Sequence, residues 1–150
     1  PNHQVGRVTP LETRGHVALS GNFGYELDLT KFTDGEKEIV KAQVGLYKEI
    51  RRLVQFGDFY RLLSPFEGNA AAWMFVAKDK REAFVVYVEM LKQPYAPKDR
   101  FRLKGLDPDL DYELNGDGIV YGGDELMTIG LPVPQFRGDF GSRAYRLRAR

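Results

Sequence analysis

Residues 34–56 restrict the fold more than any other stretch. At about 100° per residue, Ile39, Val40, Val44, Leu46, Tyr47, Ile50, Leu53 and Val54 fall within one half of a helical wheel. Lys37, Lys41, Lys48 and Arg52 fall on the other half. Thr33 and Glu36 are spaced as a capping box, in which the hydroxyl meets the amide of the third helical residue and the carboxylate reaches back. Gly57 supplies a stop. A long helix with an apolar half must cover something flat and apolar, so it is not expected to stand alone.

The pattern around this helix changes near residue 57. Upstream, Pro10 at a first-turn position and the run 11–19 predict a shorter helix, ended by Ser20-Gly21-Asn22. Residues 23–29 alternate with period 2 and read as a strand. Helix, strand and long amphipathic helix in that order describe an α/β layer or barrel. Downstream, strands are expected at about 59–63, 72–76, 83–91, 100–103, 111–114, 118–121 and 144–148. The richest is Glu82-Ala83-Phe84-Val85-Val86-Tyr87-Val88, β-branched or aromatic almost throughout. Ser64-Pro65, Asp107-Pro108 and Asn115-Gly116-Asp117-Gly118 carry turn chemistry. Short strands at roughly ten-residue intervals predict an antiparallel sandwich.

Composition narrows the class. Ten Phe and eight Tyr within 150 residues, at 43% hydrophobic content, exclude a disordered or collagen-like chain. The net charge is +1, so no global field recruits nucleic acid or an anionic membrane. There is no cysteine, which removes disulfides, thiol nucleophiles and cysteine zinc sites. A reducing compartment fits that absence, and cytoplasmic placement is expected. No apolar run approaches the 18 or so residues of a membrane span, and the start Pro1-Asn2-His3-Gln4 has no signal-peptide core. The chain starts at Pro1 with no initiator Met, which suggests a processed or truncated product.

Few residues offer themselves for chemistry. Asp107, Asp109 and Asp111 imitate the start of a calcium loop, but the sixth position is Tyr112 and the twelfth Gly118, where Gly and Glu are needed. Turn and strand-start roles explain them better. Glu26 and Asp28 share a face of the expected strand and could form an acid–base pair, although Asp28 is better explained as capping the next turn. His16 belongs to a helix and reads as packed or hydrogen-bonded. His3, beside Asn2 and Gln4, could be a loop group near a ligand. Arg146, Arg148 and Arg150 project from one face of the last strand, which reads as a solvated strand face rather than a phosphate site. Phe59, Tyr60, Phe66 and Trp73 fit either a sugar-stacking surface or a core. Tyr121-Gly122-Gly123-Asp124 reads as a bulge or turn. No cofactor, no metal site and no convincing catalytic residue emerge.

Longer strings add a resemblance. Pro1-Asn2-His3-Gln4, Thr13-Arg14-Gly15-His16 and Ser20-Gly21-Asn22-Phe23-Gly24-Tyr25-Glu26-Leu27-Asp28 resemble the late part of bacterial α-galactosidases of glycoside hydrolase family 36. Val54-Gln55-Phe56-Gly57-Asp58-Phe59-Tyr60-Arg61-Leu62, Ser64-Pro65-Phe66-Glu67-Gly68-Asn69 and Tyr121-Gly122-Gly123-Asp124-Glu125-Leu126-Met127 continue it in consistent order, as far as about Leu147.

The resemblance implies an α+β fragment. Residues 1–57 would be the last βα elements of an incomplete (β/α)8 catalytic barrel, and residues 58–150 an antiparallel β-sandwich domain. The parent would be a retaining α-galactosidase acting on terminal α-linked galactose of melibiose- and raffinose-type oligosaccharides, through an Asp nucleophile and an Asp acid/base. Both motifs precede Pro1 in the family's order, so this stretch is expected to be inactive alone, since two of eight βα units cannot close a barrel. Asn2 and His3 would sit on the active-site rim and are the only substrate-facing candidates. The rival reading is a non-catalytic carbohydrate-binding or structural module. An exposed apolar stripe could drive homo-oligomerisation, with residues 23–29 as the strand-edge contact.

Overall fold

The computed structural model describes residues 5–26, 28–94 and 99–150. Helix α1 spans Leu11–Ala18 and follows Pro10, whose carbonyl accepts from Arg14 N at 3.1 Å. Helix α2 spans Asp34–Phe56 and starts on the capping box its sequence encodes. Glu36 N donates to Thr33 Oγ1 at 3.3 Å, and Thr33 N donates to Glu36 Oε2 at 2.9 Å. Gly57 N closes the far end on Leu53 O at 2.7 Å.

Between these helices the described residues form no strand where one is expected. Residues 23–26 and Asp28 run irregularly, Leu27 lies outside the described residues, and a 3-10 turn occupies Leu29–Lys31. A parallel strand exists through hydrogen bonds to neighbours, and no described strand lies beside this segment. Alternation gives it the side-chain pattern of a strand without a ladder to join.

Residue 58 begins the β region. Strands β1 (Asp58–Leu63), β2 (Ala70–Val76), β3 (Glu82–Glu89), β4 (Arg100–Phe101), β5 (Asp111–Leu114), β6 (Ile119–Gly122), β7 (Leu131–Pro132) and β8 (Ser142–Ala149) are joined by helix α3 (Gly123–Thr128) between β6 and β7. Six of them form one antiparallel sheet in the order β1-β2-β3-β8-β5-β6, while β4 and β7 pair separately. The last strand is thus inserted between β3 and β5. Phe84 on β3 lies opposite Phe75 of β2 and Arg146 of β8.

The sheet is buried on both faces. On one side Met74, Val85, Tyr87, Tyr145 and Leu147 pack under Phe101, Leu103, Leu106, Leu126 and Leu131, which come from the β4–β7 ribbon, its connections and α3. On the other, Phe75, Phe84 and Val86 meet Leu19, Ile50 and Leu53 from the helical segment. Double-sided burial explains why residues 83–88 are apolar without alternation, since a strand covered on both faces needs no polar side. The flat apolar surface required by α2 is this sheet.

Instead of two opposed sheets, one full sheet faces a ribbon of two short strands and a helix of one and a half turns. Gly105, Gly130, Pro132 and Pro134 break the covering segments before longer strands can form. The glycines at Tyr121-Gly122-Gly123-Asp124 end β6 and open α3 rather than make a bulge. A Cβ on Gly123 would fall 1.9 Å from Asp107 O, so only glycine admits this approach. Buried Tyr112 ties the same corner, donating to Lys80 O at 2.7 Å and accepting from Asp107 N at 2.9 Å.

Phe84 has no exposed surface and touches the helix-side core from the middle of the sheet. Phe84→Ala is expected to cost about 3–5 kcal/mol in urea unfolding, whereas Thr33→Ala, which removes only the cap, should cost about 1 kcal/mol. A smaller loss at Phe84 than at Thr33 would contradict the two-faced core.

Candidate functional site

Three polar groups join helix α1 to strand β8. Thr13 Oγ1 donates to Phe140 O at 2.6 Å and shares a hydrogen bond with Ser142 Oγ at 2.8 Å. His16 Nδ1 lies 2.8 Å from the same Ser142 Oγ. Thr13 and His16 are three residues, about one helical turn, apart on the same face of α1, so both reach one hydroxyl of the sheet. Burial pushes His16 below its ordinary value; Glu12 partly opposes this and Arg143 adds to it. The imidazole is therefore kept neutral. This histidine–serine contact is a joint between elements, with Ser142 Oγ also committed to Thr13.

A second polar joint lies where α1 crosses α2. Gln43, buried in the middle of α2, donates from Nε2 to Leu11 O at 3.2 Å and accepts from the Tyr25 hydroxyl on Oε1. Phe23 packs edge-on against Tyr25 with ring centroids 5.2 Å apart, and against Tyr47 at 5.2 Å. Beside this joint a cavity of about 160 Å³ opens between α1 and residues 23–26, with Arg14, Tyr25 and Glu26 in its wall. Burial raises the Tyr25 hydroxyl above its ordinary value, against the pull of Arg14.

The residues nominated by sequence do not form one constellation. Asn2 and His3 lie outside the described residues. Glu26 is exposed beside the cavity. Asp28 is also exposed, and Oδ1 accepts from Thr30 N at 3.1 Å and Thr30 Oγ1 at 2.5 Å, with Lys31 Nζ 3.6 Å from Oδ2. The Thr30 hydrogen bonds hold its carboxyl below the usual carboxylate range. Such a group caps a turn and is unsuited to proton donation.

The arginine stripe is only partly solvated. Arg146 retains 16% side-chain exposure beneath α2, bound to Glu49 and lying 3.9 Å from Glu82. Arg148 stands 3.6 Å from Glu49 and 4.0 Å from Glu82, and Arg150 stands 3.3 Å from Glu113. Sequence periodicity identified the shared face but not the acidic residues of α2, β3 and β5 that pair with it.

The four aromatic candidates also separate. Trp73 packs in the helix-side core and donates from Nε1 to Ser20 Oγ at 2.6 Å. Phe59 packs at a tilt against Phe75, ring centroids 5.2 Å apart, under the Arg61 guanidinium, while Tyr60 packs against the opposite core. Phe66 stands 97% exposed in the turn after β1. They make no common sugar platform. Asp107 Oδ1 accepts from Asp109 N at 3.1 Å, a turn contact. Among the described residues, no group of three or more His, Asp or Glu side chains is placed to hold a metal, and no helix is long and apolar enough to cross a membrane. The Gln43–Tyr25–Leu11 joint was missed by sequence reading. A lone glutamine on the apolar half of a helix was its signal.

Comparison with known proteins turns this geometry into a class. Residues 70–147 match the glycosyl hydrolase family 36 C-terminal domain, and residues 1–57 match melibiase. The chain belongs to glycoside hydrolase family 36. It is 62% identical over 149 residues to alpha-galactosidase AgaA of Geobacillus stearothermophilus, covering 99% of this chain and 20% of that protein. Alpha-galactosidase Mel36A of Lactobacillus acidophilus is 48% identical over 151 residues, again with 99% of this chain and 20% of the relative covered. A crystal structure of an AgaA variant in complex with raffinose superposes with a TM-score of 0.94 at 62% identity, over 99% of this chain and 21% of that one. The chain thus spans about a fifth of the length of the relatives it matches.

The neutral His16 gives a pH dependence with a definite sign. Because folding lowers its affinity for protons, the associated stability is complete above the ordinary imidazole value of about 6.5 and is lost as pH falls below it. Between about pH 7 and about pH 5.5 the melting temperature should fall more steeply for the native chain than for His16→Gln. Parallel curves would show that His16 is not the group responsible.

Proposed function

We propose that this chain acts as the C-terminal part of a retaining α-galactosidase that releases terminal α-linked galactose from raffinose- and melibiose-type oligosaccharides. Its 62% identity to AgaA across 99% of its length carries the reading. Superposition on an AgaA variant solved with raffinose supports oligosaccharide as the substrate class. Residues 1–57 would belong to the catalytic barrel, and Asn2 and His3 to its rim. Residues 58–150 would form the C-terminal domain that braces it. The bracing role is supported by the helix-side core, where Leu19, Ile50 and Leu53 from the first segment bury Phe75, Phe84 and Val86 from the second. Cytoplasmic placement and assembly with further copies belong to the same proposal; the absence of cysteine supports the former.

By this reading the 150 residues do not hydrolyse glycosides alone. Asp28 is committed to Thr30 and Lys31, whereas a retaining pair needs one carboxyl kept protonated about 5–5.5 Å from an ionised partner. The purified chain should show no turnover of p-nitrophenyl α-galactoside above background. AgaA with its matching region replaced by this chain should retain hydrolysis of raffinose. Turnover by the isolated chain that disappears in Glu26→Gln or Asp28→Asn would overturn the assignment. An exposed Phe66 keeps a sugar-binding role for the C-terminal domain open to test, by titration with galactose, raffinose and melibiose.

A further inference from the structure

We propose that the C-terminal β region carries a binding site for a neutral sugar ring, in a cavity between the sheet and the β4–β7 ribbon, with Tyr87 and Glu89 as its hydrogen-bonding groups. The proposal goes beyond glycoside hydrolysis and does not depend on it. The cavity measures about 270 Å³. Its origin lies in β2, where Ala70 stands opposite Glu89 and Ala72 opposite Tyr87. Two alanines leave a hollow between Leu63 of β1 and the longer side chains of β3, and Phe101 and Val133 wall it from the ribbon side. Pockets for small ligands start at about 300 Å³, so this one has room for a single ring.

Two polar side chains of β3 present unsatisfied atoms to it. Tyr87 is 4% and Glu89 7% exposed, and both line the cavity. The Tyr87 hydroxyl has no hydrogen-bond partner among the described residues. Glu89 commits Oε2 to Lys92 Nζ at 3.4 Å and leaves Oε1 without a partner among those residues. Buried hydroxyls and carboxylates are almost always hydrogen-bonded. Tyr112, also buried, has two partners for its hydroxyl. Burial holds the Tyr87 phenol above its ordinary value, with Glu89, Tyr145 and Asp99 adding to it, so it stays a hydrogen-bond donor.

This chemistry selects a sugar. Lys92 balances the Glu89 charge, which leaves an acceptor for hydroxyl groups in place of an uncompensated anion. A sugar ring supplies several hydroxyls at once, to the carboxylate, the phenol and the exposed Gln93 amide at the rim. Its apolar C–H face can lie against Leu63, Phe101 and Val133. An apolar ligand would leave both β3 groups unsatisfied, and an anion would meet Glu89 and Asp99.

The test uses AgaA carrying this chain in place of its matching region, with hydrogen exchange followed in peptides covering residues 84–91 and 99–103. Slow exchange across β3 without ligand shows that the domain is folded. Galactose and sucrose, the two parts of raffinose, are the probes, and methylamine is the cationic control. At least one of the sugars should slow exchange in these peptides in proportion to occupancy, and methylamine should not. Tyr87→Phe and Glu89→Gln should each raise the half-saturating sugar concentration about tenfold, as one lost hydrogen bond requires. Because the Tyr87 hydroxyl has no partner to lose in the sugar-free protein, Tyr87→Phe should melt no lower than the unsubstituted chimera. A lower melting temperature would reveal a protein partner for the hydroxyl and overturn the proposal. So would protection by methylamine alone, no protection by either sugar, or protection that both variants retain in full, which places the sugar elsewhere.

Discussion

Burial of strand β3 on both faces is the constraint on which the rest of the structure depends. Phe84 and Val86 face the helices, Ala83, Val85 and Tyr87 face the ribbon, and all five are buried. A sheet covered on one side only would leave either row in water, at a cost of about 1.5–3 kcal/mol for each large side chain. The order of the sheet follows, because the last strand must return to the centre to complete the pairing beside β3. So does the attachment of α1 and α2, which have no other described apolar surface of comparable extent to cover.

That attachment is made specific by polar groups around its margin. Apolar contact between α2 and the sheet is tolerant of sliding, whereas hydrogen bonds and ion pairs have fixed partners. Trp73 reaches Ser20, His16 and Thr13 reach Ser142, and Arg146 reaches Glu49. Individually, exposed ion pairs contribute little, about 0–1 kcal/mol. Together these contacts define one register between the segment matched by melibiase and the family 36 C-terminal domain.

Legibility in the sequence followed the range of the forces involved. Helix α2 was legible to its ends because periodicity and the Thr33–Glu36 box are local. Strands β3, β5 and β8 were legible for the same reason. Residues 23–26 read as a strand in the sequence but run irregularly in the structure, because a period-2 pattern reports side-chain alternation and not the presence of a ladder. Helix α3 was missed because six residues carry too little periodicity, and two glycines normally signal a turn. Among candidate residues, Asp28 was understood from its own neighbours. The partners of Arg146 and Gln43 were not, since Glu49 lies 97 residues from Arg146 and Leu11 lies 32 from Gln43.

The sequence by itself determined the local elements, the change from helical to β character near residue 57, the absence of cysteine chemistry and, through its long strings, the family. Each depends on neighbouring residues or on direct identity. Tertiary structure decided the insertion of β8 between β3 and β5, the two cores on opposite faces of one sheet, and the neutralisation of the arginine stripe. It alone placed the Gln43 amide between Leu11 and Tyr25. These depend on side chains far apart in the chain meeting once the sheet has closed, and no local pattern encodes which distant partner each will find.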